Sequence, residues 1–370
     1  MMTPSLALRR LVIKVGSSVL TDHAGRLLRA RVAQLVAQVA ASKDHQILLV
    51  SSGAIACGMA RLGLSRRPQG LAQLQACAAI GQSELMALYN QAFVEHGMLA
   101  AQILLTQEDL ADRQRYRNAK QTLLTLLHRR IIPIINENDT VAVEEITFGD
   151  NDRLAALVAS AVDAQLLILL SDVEGLLHNG QVVTRIESLD QVAQAPVHGG
   201  TSRQTTKGGM TSKLAAARIV GHNGIPMVIA NGTRPSVLTD LLAGKPVGTL
   251  FVPPRNRLTQ RKWWLAFALR HPKGEIVVDD GAAAALLERG KSLLASGVVQ
   301  VQGRFEAGAF VAITDRAHTE LARGVTKFSS SELMRIRGMK SAEAAATLGQ
   351  AHVRDVVHRN HLVLTREMHA

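Results

Sequence analysis

The sequence predicts an α/β protein with a mainly parallel sheet in an αβα sandwich, followed by a second, small β-barrel domain. Apolar residues make up 47% of the chain and aromatic residues only 3%, so the core is built from Ala, Leu, Val and Ile. Up to residue 250, short β-branched runs alternate with amphipathic segments. Beyond about residue 274, short strand-like runs are broken by glycine. These three observations predict two domains of different architecture.

Six apolar runs in the first part of the chain are predicted strands. The predicted strands are residues 11–15, 46–51, 102–105, 131–135, 165–171 and 226–230. The predicted helices between them include residues 29–41, 71–95, 115–127, 151–161 and 210–220. Strands that alternate with helices imply right-handed crossovers and a mainly parallel sheet. The strands are continuous apolar runs, which is typical of strands buried on both faces.

The second domain is predicted from about residue 275. Its strand-like runs are EIVVDDG, GVVQVQG, GAFVAITD and ARGVTKFS, with one helix over residues 282–289. Short strands broken by glycine are typical of a small β-barrel. We therefore predict a first domain over residues 1–252, a basic linker over 253–274 and a second domain over 275–370.

The net charge of +12 is concentrated in one short segment. Residues 251–274 contain six Lys and Arg and no Asp or Glu, which is half of the excess. These cations, with paired Trp263 and Trp264, are compatible with RNA binding through phosphate contacts and stacking. They are also compatible with a linker whose tryptophans pack between domains, and we favour the linker. Residues 275–370 hold twelve basic and eleven acidic side chains, a poor balance for phosphate-driven affinity.

Composition indicates a cytoplasmic protein. No apolar run approaches the roughly eighteen residues of a membrane span. The apolar run after Arg9 and Arg10 is too short for a signal peptide. Cys57 and Cys77 follow small apolar neighbours and are predicted to be buried free thiols. Neither Cys nor His shows metal-ligand spacing, so we expect no metal site made by the protein alone.

The segment from Ile135 to Asp152, INENDTVAVEEITFGDND, contains six carboxylates in eighteen residues and no Lys or Arg. Like charges at close range raise one another's pKa, so such a cluster requires cations, a substrate ammonium or a Mg²⁺-bound nucleotide nearby. A solvated acidic loop is the simpler interpretation. However, the segment follows a predicted strand and precedes a predicted helix, where open parallel sheets bind ligands. The sequence therefore predicts a ligand site here.

Other predicted strand ends also carry glycine, serine or lysine. Residues 14–18 (KVGSS) follow the first strand, 51–54 (SSGA) the second and 171–172 (SD) the fifth, while 207–213 (KGGMTSK) open a helix. Glycine lets backbone N–H groups approach an anion, and a helix N-terminus favours negative charge. Each turn alone is more often structural, but several at successive strand ends indicate a site. Lys14 ends an apolar strand, which favours a phosphate contact over a snorkelling surface lysine.

These motifs, in this order, resemble those of the amino acid kinase family. They are KVGSSVL (14–20), VSSGAIACG (50–58), the acidic segment, LLSDVEGL (169–176) and KGGMTSKLAAA (207–217). The INEND and GDND pair is the specific part, and it resembles the members that phosphorylate the side-chain carboxylate of glutamate. Beyond residue 275 the chain resembles a PUA module, so the resemblance covers nearly the whole chain. It implies ATP-dependent formation of γ-glutamyl phosphate, the first step of proline biosynthesis.

The resemblance implies a role for each matched residue. Lys14 and Lys213 would neutralise the transferring phosphoryl group and the leaving ADP oxygens, and Asp152 would orient both lysines. Glutamate would be bound by Ser52, Gly53, Ala54, Asp139 and Asn151, with Asp139 facing the α-ammonium. ATP would be bound by Lys14, Gly16, Ser171, Asp172, Lys207, Gly208, Gly209, Met210, Thr211, Ser212 and Lys213. Mg²⁺ would bridge ATP phosphates and keep several waters.

Simpler structural roles stay open for three of these residues. Asp152 would then be only a first-turn acid that stabilises a helix dipole, Asn151 its cap and Ser52 a turn residue. Glu144 and Glu145 have no assigned role and are expected at the surface of the loop.

The chain departs from the family pattern at two places. Lys207 stands where a threonine usually precedes Gly-Gly-Met, and the segment after Leu176 is shorter than in relatives. Both departures lie on the expected nucleotide side.

The resemblance also implies a homo-oligomer, a dimer or tetramer, and a downstream glutamyl phosphate reductase as partner. Two alternatives stay open. One is a kinase for another acid or phosphate acceptor, although six carboxylates would repel a dianionic phosphate. The other is an RNA-binding or regulatory protein acting through its C-terminal module.

Overall fold

The computed structural model describes residues 9–22, 24–142, 150–189, 209–254, 258–269 and 271–369. The chain divides into two units, Met1–Arg257 and Leu258–Ala370. The predicted boundaries at residues 252 and 274 stay a prediction.

The first unit alternates strands and helices along its length. Its strands are β1 (Arg10–Val15), β2 (Gln46–Ser51), β3 (Ala100–Leu105), β4 (Ile132–Glu137), β5 (Leu166–Ser171), β6 (Leu177–His178), β7 (Gln181–Val182), β8 (Arg185–Ile186), β9 (Met227–Asn231) and β10 (Thr249–Phe251). Its helices are α1 (Ser17–Leu20), α2 (Arg29–Ala41), α3 (Ala54–Arg61), α4 (Leu71–Val94), α5 (Gln107–Ala111), α6 (Arg113–His128), α7 (Asp150–Ala161), α8 (Gly209–Gly221) and α9 (Val237–Leu242).

Eight of these strands form one mainly parallel sheet, as the sequence predicts. The order is β3-β4-β2-β1-β5-β9-β10-β8, and only the pairing of β9 with β10 is antiparallel. All six predicted strands are present, with ends that differ by at most two residues. β8 and β10 were not predicted, because runs of two or three residues carry no readable periodicity.

Alternation along β1 directs its side chains to two different layers. Leu11, Ile13 and Val15 belong to the core cluster shared with α2 and α4. Successive side chains of a strand point to opposite faces, so Lys14 faces the other layer, which contains α7 and α8. The sheet is therefore covered on both faces, and its central strands are buried.

Helices α3 and α4 cross at a very short distance through two glycines. A Cβ atom added to Gly81 would lie 1.8 Å from the carbonyl oxygen of Ala54, and one added to Gly58 would lie 1.8 Å from that of Cys77. No side chain is compatible with either position unless the backbones separate. This contact fixes the start of α3, which follows directly after β2.

The second unit is a small α+β domain. Its strands are β11 (Glu275–Val278), β12 (Val298–Gln302), β13 (Phe310–Thr314), β14 (Glu320–Val325) and β15 (Leu362–Leu364). Its helices are α10 (Gln260–Trp263), a π-helix (Trp264–Ala268), α11 (Asp280–Leu287), α12 (Ser330–Ile336), α13 (Ser341–Leu348) and α14 (Thr365–His369), with 3₁₀ turns at Ala295–Gly297 and Arg359–His361. The sheet order is β12-β11-β13-β14-β15, and only β11 and β13 are parallel. Four of these strands match the predicted runs, whereas β15, α12 and α13 were missed.

Part of the predicted linker is helical and buried. Trp263 is 1% exposed and its ring lies 6.2 Å from that of Phe267, in the π-helix that packs against β14 and β15. Burial of this tryptophan in the structure argues against its use in base stacking. In the part of the chain that is described, no helix is long and apolar enough to cross a membrane.

The crossing of α3 and α4 predicts a stability effect. Gly81→Ala should destabilise the first unit by about 3 kcal/mol, since overpacking against rigid backbone costs this much. The thermal midpoint, followed by circular dichroism, should fall by roughly 6 to 12 °C. Gly70→Ala is the matched control, because its added Cβ would meet only the Gln73 side chain at 3.7 Å. Equal midpoints for the two variants would contradict the packing argument.

Candidate active site

The carboxyl ends of β1, β2, β4 and β5 meet at one edge of the sheet. Lys14 of β1 lies beside Val50 of β2 and Leu169 of β5, and Val50 lies beside Ile135 of β4. Because these strands are parallel, the residues after each of them are neighbours in space. The turns predicted to form a site therefore converge.

Three charged side chains form the centre of this edge. Lys14 Nζ lies 2.6 Å from Asp152 Oδ1, and Lys213 Nζ lies 3.6 Å from Asp152 Oδ2. Asp152 is 1% exposed and Lys14 is 8% exposed, so Lys14 is not a snorkelling surface lysine. Strand β1, helix α7 and helix α8 each supply one member. The structure thus brings together the three predicted catalytic residues.

Asp152 is ionised despite its burial. Burial raises the pKa of the Asp152 carboxyl, but the charges of Lys14 and Lys213 and hydrogen bonds from Lys14 and Ser212 outweigh it. The pKa is therefore held below its ordinary value of 3.8. Ser212 Oγ donates to Asp152 Oδ2 at 2.7 Å. The carboxylate thus accepts from Lys14 of β1 and Ser212 of α8, and it also forms an ion pair with Lys213 of α8.

The cluster of Lys14, Asp152 and Lys213 contains two positive charges and one negative charge. One cation is therefore left without a balancing anion inside the cluster. Buried charge is costly unless an opposite charge is near. The arrangement favours an anionic ligand in contact with both ammonium groups.

Asn151 lies next to this cluster and joins two strand ends, those of β2 and β4. Its Nδ2 donates to Ser52 Oγ at 3.0 Å and to Asn136 Oδ1 at 3.0 Å. A longer contact of 3.4 Å reaches the carbonyl oxygen of Ser51. Because α7 begins at Asp150, Asn151 is inside the first turn and is not the residue that caps it.

The turn after β2 requires glycine at residue 53. Gly53 has φ +110°, in the left-handed region that side chains disfavour, and it caps helix α3. Its cap position carries no side-chain hydrogen bond, which leaves the first-turn N–H groups, beginning at Ala54, for a ligand. A helix N-terminus of this kind favours a carboxylate.

Asp139 lies near a cation that the sequence analysis missed. Asp139 and Arg67 are both partly buried, and Arg67 lies in the turn between α3 and α4. Burial lowers the pKa of the Arg67 guanidinium, while the Asp139 charge raises it. The turn between α3 and α4 thus places a positive charge close to Asp139 in the acidic segment after β4.

The predicted nucleotide residues are described in part. Ser171 Oγ donates to Asp172 Oδ1 at 3.1 Å at the end of β5. Gly209, Met210, Thr211 and Ser212 begin α8 together with Lys213, whereas Lys207 and Gly208 lie outside the described residues. Gly16 N–H donates to the Leu170 carbonyl oxygen at 3.0 Å, so the sheet already uses this amide. Gly16 can allow close approach of a ligand, but its N–H is engaged.

Two further residues of the site have no role in the sequence analysis, although Asn136 belongs to the INEND motif named there. Asn136 is 2% exposed and accepts from Asn151, and its Nδ2 donates to Gln82 Oε1 at 2.7 Å. Asn136 directly follows the predicted strand over residues 131–135 and lies within β4 in the structure. Gln82 lies in α4, 54 residues earlier, where nothing in the local pattern marks it.

No metal centre is visible among the residues whose positions are known. Within those ranges, no group of three or more His, Cys, Asp or Glu side chains is placed to hold a metal ion. Glu144 and Glu145 lie outside the described residues.

Comparison with known proteins identifies relatives of both units. The amino acid kinase family matches residues 9–231, and the PUA domain matches residues 274–348. A glutamate 5-kinase of Thermus thermophilus is 48% identical over 375 residues, covering 99% of this chain and 100% of the relative. A glutamate 5-kinase of Pelobacter propionicus is 43% identical, covering 96% and 98%. One from Caldanaerobacter subterraneus subsp. tengcongensis is 44% identical, covering 96% and 97%.

The lowered pKa of Asp152 predicts how stability depends on pH. A carboxyl whose folded pKa lies below its unfolded value stabilises the fold above the unfolded value, and this contribution is lost as pH falls through the folded one. Asp152→Asn should therefore cost about 3 kcal/mol at pH 7, where it leaves buried Lys14 and partly buried Lys213 without their partner. The difference in free energy of unfolding between this variant and the unmodified protein should shrink as pH falls below 3.8. Urea unfolding between pH 3 and 7 measures it.

The control for this series is Asp163→Asn. Asp163 Oδ2 lies 2.9 Å from Lys120 Nζ at the surface, and exposed pairs of this kind contribute at most about 1 kcal/mol. A stability gap for Asp152→Asn that is independent of pH, or no larger than that of the control, would contradict the assigned electrostatics.

Proposed function

The chain belongs to the amino acid kinase family, and we propose that it transfers the γ-phosphoryl group of ATP to the γ-carboxylate of L-glutamate, the first step of proline biosynthesis. The relatives that it matches over nearly their whole length are glutamate 5-kinases. The observation that carries the proposal is the buried cluster of Lys14, Asp152 and Lys213 at the ligand edge of the sheet.

The reaction suits a site without a histidine. The γ-carboxylate of glutamate is ionised at neutral pH, so it attacks phosphorus without a general base. Two anions must nevertheless approach each other in line. Catalysis therefore depends on alignment and on cations that cancel the charge of the transferring phosphoryl group.

Lys14 and Lys213 are proposed to supply this positive charge. Lys14 would contact the transferring phosphoryl group, and Lys213 would contact both that group and the leaving ADP oxygens. Asp152 would hold the two ammonium groups in place. The ion pairs of 2.6 and 3.6 Å and the bond from Ser212 support this role. Positions fixed before substrate binding reduce reorganisation during the reaction.

Glutamate is proposed to lie between the turn after β2 and the segment after β4. Ser52, with Gly53 and Ala54 at the start of α3, would bind carboxylate oxygens. Asp139 would bind the α-ammonium, and Asn151 would bridge the two sides. The partial positive charge at the α3 N-terminus and the negative charge of Asp139 match the two ends of an amino acid.

The nucleotide is proposed to lie on the side of β5 and α8. Ser171, Asp172 and the segment 207–213 would contact ATP, with Gly16 allowing close approach. Mg²⁺ would be bound by the ATP phosphates and by water, since Mg²⁺ dehydrates reluctantly and is commonly held through phosphates.

We also propose a cytoplasmic location and two partners. Both cysteines, Cys57 and Cys77, are free and buried, which suits a reducing compartment. A homo-oligomer is supported by strand β3, which lies at the edge of the sheet among the described strands, with Leu104 exposed on it and Leu99 exposed directly before it. The product hydrolyses readily, so a reductase that consumes it is a suitable partner.

The first prediction concerns the two charged groups that hold and neutralise phosphate. Lys213→Ala and Asp152→Ala should each lower glutamate-dependent ADP release by at least about a hundredfold, or roughly 2.7 kcal/mol, in the presence of Mg²⁺ and ATP. Lys43→Ala, an exposed lysine after α2, should retain normal turnover. Loss of less than about tenfold in both site variants would refute the proposed roles.

A second prediction concerns the acceptor. Aspartate is one methylene shorter, N-acetylglutamate has no α-ammonium for Asp139, and UMP carries a dianionic phosphate that the acidic side would repel. Each should give a kcat/KM at least about tenfold below that of glutamate. Faster turnover of any of the three would reassign the substrate.

A further inference from the structure

A line of three side-chain amides runs from helix α4 into the site. Gln82 Oε1 accepts from Asn136 Nδ2 at 2.7 Å, and Asn136 Oδ1 accepts from Asn151 Nδ2 at 3.0 Å. Asn136, at the centre, is 2% exposed. We call Gln82, Asn136 and Asn151 the amide relay.

One backbone group fixes the direction of the whole relay. The Glu137 N–H donates to Asn136 Oδ1 at 2.9 Å, so this atom must be the carbonyl oxygen. The Nδ2 of Asn136 then faces Gln82, which must present its oxygen. Asn151 must present its Nδ2 to Asn136, and Ser52 receives a bond from the same nitrogen.

The direction of the relay determines what Asn151 offers to a ligand. With its Nδ2 engaged, the remaining polar atom is Oδ1, which is buried and has no hydrogen-bond partner among the described residues. A buried acceptor without a donor is costly, so a ligand donor is expected there. Both carboxylates of glutamate are acceptors only, and its α-ammonium is its sole donor.

We propose that Gln82 is a positioning residue that makes the site specific for an α-amino acid over a dicarboxylate without an amine. This inference rests on the proposed function. Gln82 holds Asn136, and Asn136 holds Asn151 with its carbonyl oxygen toward the α-ammonium. Loss of the Gln82 acceptor would leave Asn136 Nδ2 without its partner and loosen the position of Asn151 Oδ1, which would weaken the preference for the ammonium.

The atoms used by Gln82 define the test. Only its Oε1 takes part in the relay, and its Nε2 is buried with no partner among the described residues. Gln82→Glu keeps an acceptor at this position, whereas Gln82→Met keeps the length of the side chain and removes the acceptor. Gln91→Met, on the exposed side of the same helix, is the matched control.

The measurements are kcat and KM for glutamate, KM for ATP, and kcat/KM for glutarate, which is glutamate without the amine. In Gln82→Met, KM for glutamate should rise about tenfold and the preference for glutamate over glutarate should fall about tenfold, since a bond to a charged group is weakened. KM for ATP should stay within about twofold, because the nucleotide lies on the other side of Asp152. Gln91→Met should stay within about threefold of the unmodified enzyme in every constant, and Gln82→Glu, which keeps an acceptor, should retain more of the preference for glutamate than Gln82→Met does.

Three results would overturn the inference. One is a Gln82→Met enzyme whose kcat falls and whose KM values for glutamate and ATP both rise, while the preference for glutamate over glutarate is kept. That is the behaviour of a purely structural residue. Another is a rise in KM for glutamate of more than about tenfold in Gln82→Glu, which tests the relay direction even where Gln82→Met does not fold. The third is equal use of glutamate and glutarate by the unmodified enzyme. A failure of the proposed function is distinct, because the unmodified protein would then show no glutamate-dependent turnover.

Discussion

The structure depends on two ammonium groups, those of Lys14 and Lys213, held around one buried carboxylate. Lys14, Asp152 and Lys213 come from β1, α7 and α8, so the two helices on this face must stay fixed relative to the sheet for the cluster to exist. Removing one member leaves uncompensated charge inside the protein. The same imbalance that makes the cluster costly without a ligand makes it attractive to a phosphoryl group. In the proposed mechanism, stability and catalysis rest on one set of contacts.

Most of the long strands and helices could be predicted from the spacing of apolar residues in the sequence. The central strands are long apolar runs, and α2 begins and ends where its pattern does, at Arg29 and Ala41. The elements that were missed are short or locally ambiguous: β8 and β10 have two and three residues. The linker over residues 253–274 stays a prediction; Trp263 in it is buried beside Phe267, in a helical segment that the sequence analysis did not predict.

The site was predictable where a motif stands directly at a strand end. Lys14, Ser52 and Asn151 belong to such motifs, and the parallel register brings them together. Gln82 and Arg67 could not be predicted as site residues. Their positions in space follow from the crossing of α3 and α4 and not from the residues beside them in the sequence. The Gly58 and Gly81 contact sets that crossing, so tertiary packing decides which polar residues of α4 reach the substrate side.

The central claim is that Lys14 and Lys213 surround one transferring phosphoryl group while Asp152 holds both. The most direct measurement is a crystal structure with ADP, Mg²⁺, glutamate and a planar aluminium fluoride that mimics the transferring group. The account predicts that the Nζ atoms of Lys14 and Lys213 both lie about 3 Å from the fluoride ligands, with Asp152 still bonded to each lysine. A structure in which either lysine points away from the planar group, or in which Asp152 contacts neither, would contradict it.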